Sequence, residues 1–397
     1  MYARLSLMMF LQYAVMGAVM PIMGLYLKNG LGFSPAQVGT VLAMPAVGAL
    51  LAPLAVARIA DRWISAERTL SLGHAVAGAL MLALAYQSSY PVVITLYLAY
   101  SLAMMPTMPL TNAIAFHHLE RAGRDFGRIR VWGTVGWIAI AWVFAAFYVA
   151  PEVGTPAVGL VLALKVSAGA SFLLAIFAGA IPPAHDAPAA NTRMRDAGRL
   201  LLHPNILVLC VITFLMAILN QFYMQWMAPF LSQVGFDDGS ILPVLSVGQV
   251  TEIVAIGLLG WFTGKAGIKW MLMLGLVLQV TRFLVFAFLP TAPALLPAIS
   301  LHGLSFAFYG VTAYIYLDRL CTPAERAGVQ QLYGIMGAGI GALTGSFLAG
   351  FTGEWLLGED GTIAYRIFWL VPAGIAIAAC ALLAFGFRPG REAAVED

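Results

Sequence analysis

Four ionisable side chains stand deep inside long apolar stretches of this sequence: Lys165, Glu252, Arg282 and His302. Such a group in hydrocarbon costs about 2.5–3.5 kcal/mol on insertion scales, so each one retained there is a candidate for function. Glu252 is the one carboxylate near the middle of such a stretch and the first candidate for carrying a proton. A permanent ion pair with Arg282 that only joins two helices is the alternative. A histidine in water titrates near neutrality, so His302 suits a proton relay, or else a hydrogen-bonded place in the core. Lys165 lies between Leu164 and Val166 and either snorkels or acts.

Amides and aromatic rings accompany Glu252. Gln249 precedes it by three residues, on the same helical face, and Thr251 adjoins it. Upstream lie Asn220, Gln221, Tyr223, Gln225 and Trp226, with Gln221 and Gln225 one turn apart. This set suits a polar solute with an apolar face, although single amides also serve as bonds between helices. Arg130, Thr134 and Trp137 recur at i, i+4 and i+7. A guanidinium, a hydroxyl and an indole in one line suit a hydroxyl-rich ring, by bidentate hydrogen bonding and stacking. Alternatively, Arg130 closes a run of loop arginines and Trp137 meets lipid. His302, Phe306 and Tyr309 repeat the same spacing, and Asn112, Gln330 and Gln331 complete the polar set.

No P-loop, G-x-S-x-G, metalloprotease or metal-ligand spacing occurs, so neither an enzyme, an ATP-driven pump, a cofactor nor a metal is expected. No nucleic-acid partner is expected either. Gly337, Gly341 and Gly345 form a small-residue stripe suited to close helix packing.

The elements that must position these residues follow from composition. Hydrophobic residues make up 61% and charged residues 10% of the chain, far from the usual balance of a water-soluble domain. Apolar windows fall at 5–27, 37–57, 69–87, 92–115, 131–150 and 156–181, then at 204–230, 240–262, 270–289, 294–317, 328–351 and 367–387. Each is close to the roughly 20 residues that cross a bilayer. The expected fold is therefore an all-α membrane protein of twelve transmembrane helices, packed as two pseudo-symmetric six-helix bundles. Residues 1–181 form the first bundle, 182–203 a linker and 204–397 the second bundle with a short tail. Pro106 and Pro109 should kink the fourth helix.

The run from Leu5 to Tyr26 is too long for a signal-peptide core, so the first helix is expected to stay. Three cysteines, Cys210, Cys321 and Cys380, suggest no disulfide. Arg58, Arg62, Arg68, Arg121, Arg124, Arg128, Arg193, Arg195, Arg199, Lys265 and Lys269 mark one side of the layer. The other side carries little basic charge beyond Lys28 and Arg366, and its acids include Glu152, Asp237, Asp238, Glu354, Glu359 and Asp360. The basic side, with the linker and both termini, is expected to be cytoplasmic. An offset of about 200 residues aligns Trp132-Gly133-Thr134-Val135-Gly136 with Tyr333-Gly334-Ile335-Met336-Gly337, and Gly32-Phe33 with Gly235-Phe236, as a parallel repeat would.

This organisation resembles the major facilitator superfamily, and Ala60-Asp61-Arg62 resembles the core of its loop signature. Within that superfamily the chain resembles the nucleoside:proton symporters of bacterial inner membranes. Phe10-Leu11-Gln12, Ala60-Asp61-Arg62-Trp63-Ile64-Ser65-Ala66, Met105-Pro106-Thr107, Ile129 to Gly136 and Gln249-Val250-Thr251-Glu252 carry the likeness. The resemblance implies nucleoside contacts at Arg130, Thr134, Gln221, Gln249, Glu252 and Phe306, with Trp137 as a further aromatic. Two positions depart from the family: Met224 replaces an asparagine, and Ala307 an aspartate that bears on proton coupling. Gly127-Arg128-Ile129-Arg130, Gly136-Trp137 and Leu301-His302 also resemble the lactose permease-like oligosaccharide:proton symporters, whose acid three residues after that histidine is Ser305 here.

The expected activity is alternating-access transport of a nucleoside, with proton import. Substrate would meet Arg130, Thr134, Trp137, Gln221, Gln225, Gln249, Glu252 and Phe306, while Glu252, His302 and Arg282 would handle protons. A sugar or aromatic-acid symporter, an uncoupled facilitator and, more distantly, a membrane receptor are the alternatives.

Overall fold

A computed structural model describes residues 1–59, 65–119, 122–148, 156–182, 203–321 and 326–388. The loop signature Ala60-Asp61-Arg62 and the linker between Pro182 and His203 lie outside the described residues. Among the described residues twelve long helices follow one another: α1 Tyr2–Gly30, α2 Pro35–Ala52, α3 Ala66–Leu84, α4 Tyr90–His118, α5 Asp125–Phe147, α6 Gly159–Gly179, α7 Pro204–Gln233, α8 Asp238–Phe262, α9 Ile268–Phe288, α10 Ala292–Leu320, α11 Val329–Trp355 and α12 Tyr365–Gly386. Among the described residues eleven of them are long and apolar enough to cross a membrane. The twelfth, α3, carries Glu67, Arg68, Thr69, Ser71 and His74 in its first half. The only described β pairing is an isolated bridge between Leu357 and Ile363.

Local chemistry sets the breaks. α2 starts at a capping box: the Ser34 hydroxyl accepts from Gln37 N–H, and the Gln37 side chain accepts from Ser34 N–H at 3.1 Å. α4 is interrupted at Met105–Pro106, as expected where a proline withholds its N–H. The aligned pair Gly32 and Gly235 plays one structural part twice. Both take positive φ, 70° and 97°, immediately after α1 and α7. The next residue folds back in each case, Phe33 N–H to Leu27 O and Phe236 N–H to Leu231 O, both at 3.0 Å. Only glycine enters that backbone region without strain, so the repeat seen in sequence is also a repeat of helix ends.

By mutual contact the chain divides into two units. The first comprises Met1–Ala190, Tyr223–Ser246 and Ser346–Glu354; the second comprises Asn191–Phe222, Val247–Gly345 and Trp355–Asp397. Leu5, Met8, Met9, Leu70, Ile114, Ile129 and Leu174 form a core in the first. Leu209, Ile212, Leu272, Leu276, Leu317 and Leu383 do so in the second. In the second unit the Lys269 ammonium donates to the carbonyls of Ala384 and Phe387, at 2.9 and 2.7 Å, and so caps the C-terminus of α12. Outward-facing Ile176 is 75% exposed and Phe385 82%. Apolar side chains bared on helices of this hydropathy require lipid around them.

Candidate functional site

In the first unit, glycines decide where the candidate side chains stand. A Cβ on Gly136 would lie 2.2 Å from the carbonyl oxygen of Phe10, and one on Gly17 would lie 2.9 Å from Trp137 Cα. α5 therefore touches α1 backbone to backbone, and Trp137 is half-buried against Gly17. Two turns earlier, the Arg130 guanidinium carbon lies 4.1 Å from the centroid of the Tyr13 ring. That stacking orients Arg130 along α1 and is a use of the residue that spacing on α5 alone does not reveal. Thr134 is half-buried between them in sequence. Lys165 Nζ sits 4.9 Å from the Tyr86 ring centroid and is exposed, as a snorkelling lysine would be.

The same unit holds a polar network that the reading above missed. His74 is wholly buried, with Nε2 2.9 Å from Gln12 Oε1 and Nδ1 2.9 Å from the Ser171 hydroxyl. Gln12 donates to the Thr107 hydroxyl at 3.0 Å and accepts from Thr111 at 3.0 Å. Four helices, α1, α3, α4 and α6, are joined by groups that all find partners. The signal was Thr107 and Thr111 one turn apart, with Gln12 and His74 each alone in apolar surroundings. Replacing His74 by Leu removes one hydrogen-bond partner from Gln12 and one from Ser171. The unfolding midpoint in detergent should fall, by the equivalent of about 1–3 kcal/mol. An unchanged midpoint would mean that the network carries no stability.

In the second unit, Arg282 and His302 meet. Arg282 is wholly buried, its Nη1 lies 2.8 Å from His302 Nδ1, and its guanidinium carbon lies 4.6 Å from the Phe283 ring centroid. Since guanidinium only donates, Nδ1 is the acceptor, and Nε2 is the nitrogen that carries the hydrogen of a neutral ring. Glu252 approaches from α8. A Cβ on Gly303 would lie 2.1 Å from Gly248 O and 2.3 Å from Glu252 N, so α8 and α10 are in backbone contact at this turn. The Thr251 hydroxyl donates to Ser300 O at 2.7 Å across that contact. Gln249 and Glu252 are half-buried, and Gln221 packs on Gly345, whose Cβ would lie 3.1 Å from both Gln221 Cβ and Cγ. The glycine stripe of α11 thus serves the close packing that its spacing suggested: a Cβ on Gly341 would lie 2.7 Å from Ala217 Cβ.

Gln221 and Gln225 stand one turn apart on α7, Gln221 half-buried and Gln225 2% exposed. The Gln225 carbonyl oxygen lies 2.0 Å from where a Cβ on Gly24 would stand. On α10, His302 and Tyr309 are buried, whereas Phe306 is 47% exposed. A wide π-helical turn at Phe306–Val311 ends the α-helical spacing before Tyr309, while His302 and Phe306 remain one turn apart. Tyr309 instead bonds Thr213 at 2.9 Å, and Thr213 also bonds Tyr333. Ser305, where an acid was absent from the sequence, donates to Gly275 O at 2.7 Å, and Ala307 is wholly buried.

Among the described residues, eleven helices apolar enough to cross a membrane, with a twelfth, α3, carry buried polar groups between them, the architecture of a membrane-spanning helical bundle. The crystal structure of the nucleoside transporter NupG superposes with a TM-score of 0.85, at 23% identity, covering 98% of this chain and 99% of that one. The chain is 36% identical over 362 residues to YegT of Escherichia coli (strain K12), spanning 88% of this chain and 83% of that protein. It is 28% identical to the xanthosine permease of the same organism over 97% of this chain and 95% of that one. Residues 1–392 match the family described as Nucleoside H+ symporter, and the chain belongs to that family of multi-span bacterial inner-membrane transporters.

Proposed function

We propose that the chain imports a nucleoside together with a proton by alternating access, through side chains contributed by both parts of the sequence. Arg130, Thr134 and Trp137 contact substrate from α5, and Gln221, Gln249, Glu252 and Phe306 from α7, α8 and α10. Glu252 is the coupling acid, with Arg282 and His302 beside its helix contact. The observation that supports this reading is the backbone contact of Gly303 with Gly248 and Glu252, which brings the α8 turn that carries Glu252 against the α10 turn that carries His302, the partner of Arg282. Ala307 and Ser305 stand where related symporters carry acids, which leaves the coupling to Glu252. Gln225, buried against Gly24, acts on substrate through helix packing.

In this reading, both termini and the linker 182–203 are cytoplasmic and separate bundles 1–181 and 204–397. The support is the placement of arginine and lysine along the sequence.

Uptake into membrane vesicles from a panel of labelled nucleosides and sugars, with and without a pH gradient, tests substrate and coupling together. Nucleosides should enter, faster with acid outside. The Trp137→Ala variant should raise the half-saturating concentration severalfold at unchanged expression, because it removes a stacking surface of about 0.5–1.5 kcal/mol. Sugars entering in place of nucleosides would overturn the substrate assignment.

A further inference from the structure

Arg128 and Arg130 stand two residues apart on α5 and are met in different ways. Arg128 Nη1 lies 3.9 Å from Asp125 Oδ1, in an exposed ion pair within the helix. The Arg130 guanidinium is met by a ring, its carbon 4.1 Å from the Tyr13 centroid. Among the described residues no acceptor is bound to its N–H groups. A ring face holds a guanidinium by cation–π attraction and occupies none of its five donors, which point outward in the plane of the group.

Three features keep the ring in place. Tyr13 packs against the core of the first unit, beside residues that include Met9 and Ile129. The residue before it, Gln12, is wholly buried and bonded to His74, Thr107 and Thr111, which fixes the α1 backbone at this level. Gly133, one turn beyond Arg130, leaves the space. A Cβ there would stand 2.6 Å from Tyr13 Cδ2, 3.0 Å from Tyr13 Cε2 and 3.0 Å from Arg130 Nη1. Ring and guanidinium meet in the notch of that glycine, and a methyl group in it would displace one of them.

We propose that Tyr13 and Gly133 are positioning residues for substrate: the ring, seated in the glycine notch, holds Arg130 by its face so that the N–H edges are presented to the solute. This rests on the reading of Arg130 as a substrate contact. Paired in-plane donors suit a solute with two oxygen acceptors side by side, and they fit it best when the plane is already set. A guanidinium left to rotate loses affinity to its own ordering on binding. A carboxylate in place of the ring would compete with the solute for the same donors.

Two double-mutant cycles on the full chain test this, each built from Tyr13→Leu, Arg130→Gln and the two together. The first measures the unfolding midpoint in detergent without ligand, where the two changes should be non-additive, as for side chains in contact. The second measures equilibrium binding of tritiated uridine and adenosine. Tyr13→Leu should weaken binding about fivefold, the worth of an ordinary cation–π contact, and should weaken it no further once Arg130 is replaced. Gly133→Ala should follow Tyr13→Leu in both backgrounds. Tyr13→Phe keeps the ring face and should bind within about twofold of the parent. Additive losses in either cycle, or a Tyr13→Phe variant as weak as Tyr13→Leu, would overturn the proposal. Unchanged binding in Arg130→Gln would sink the reading of Arg130 as a substrate contact, and the positioning role with it. If the parent binds neither nucleoside but takes up a sugar from the uptake panel, the nucleoside assignment fails, and the same cycle run with that sugar decides the part played by Tyr13.

Discussion

Glu252→Gln should abolish accumulation of substrate driven by a pH gradient while leaving exchange of labelled for unlabelled substrate between equal pools. Glutamine keeps the shape of the side chain and part of its hydrogen bonding but releases no proton. A proton-coupled carrier has to alternate between the charged and neutral forms of its coupling group, so gradient-driven work ends while the binding surface persists. The position makes the separation clean. Glu252 is half-buried, and the backbone of its turn is held by the α8–α10 contact at Gly303. The measurement is the ratio of internal to external substrate under an imposed gradient, which should drop to unity. A variant that still concentrates substrate would move the coupling elsewhere, first to His302.

The second large effect is expected from a residue with no chemistry of its own. A Cβ on Gly303 would meet Gly248 O at 2.1 Å, Glu252 N at 2.3 Å and Thr251 Oγ1 at 2.7 Å, two of them backbone atoms of the facing helix. Gly303→Val therefore forces α8 away from α10. Overpacking of this kind costs about 1–3 kcal/mol and sometimes more. Because the displaced turn carries Glu252, transport should fall on the order of 100-fold even where protein reaches the membrane, the scale of an ångström-sized misplacement of acting groups. Gly257, also on α8, has nothing within 4 Å of its would-be Cβ, and Gly257→Ala should transport normally. Parental rates in Gly303→Val would show that the helix contact does not position the acid.

Legibility differed by scale. The helices were readable because hydrocarbon admits only backbone that bonds to itself, so apolar windows and helices coincide to within a few residues. α3 was the near miss in composition, since its first half carries the polar residues of a helix that also feeds the His74 network. Glu252, Arg282 and His302 were readable as singular ionisable residues, and the structure does bring Arg282 to His302. What periodicity could not show was contact between distant residues. Tyr13 under Arg130, Gln12 on His74 and Gly24 against Gln225 depend on which helices meet. The relation of Tyr309 to His302 and Phe306 was not legible from spacing, because α10 widens from Phe306 to Val311.

That wide turn also changes how substitutions on α10 are to be compared. An α-helix advances each residue by about 100°, and an extra residue accommodated in a π turn shifts the whole downstream stretch around the axis by that amount. Thr312, Tyr316 and Leu317 lie beyond Val311 and are buried, among them Tyr316, which accepts from Asn205 at 2.9 Å. Deleting a single residue between Phe306 and Val311 would keep every one of those side chains in the protein yet turn them toward different neighbours. The insertion therefore works as a phase marker: alignments of α10 that ignore it pair residues of like type and unlike direction.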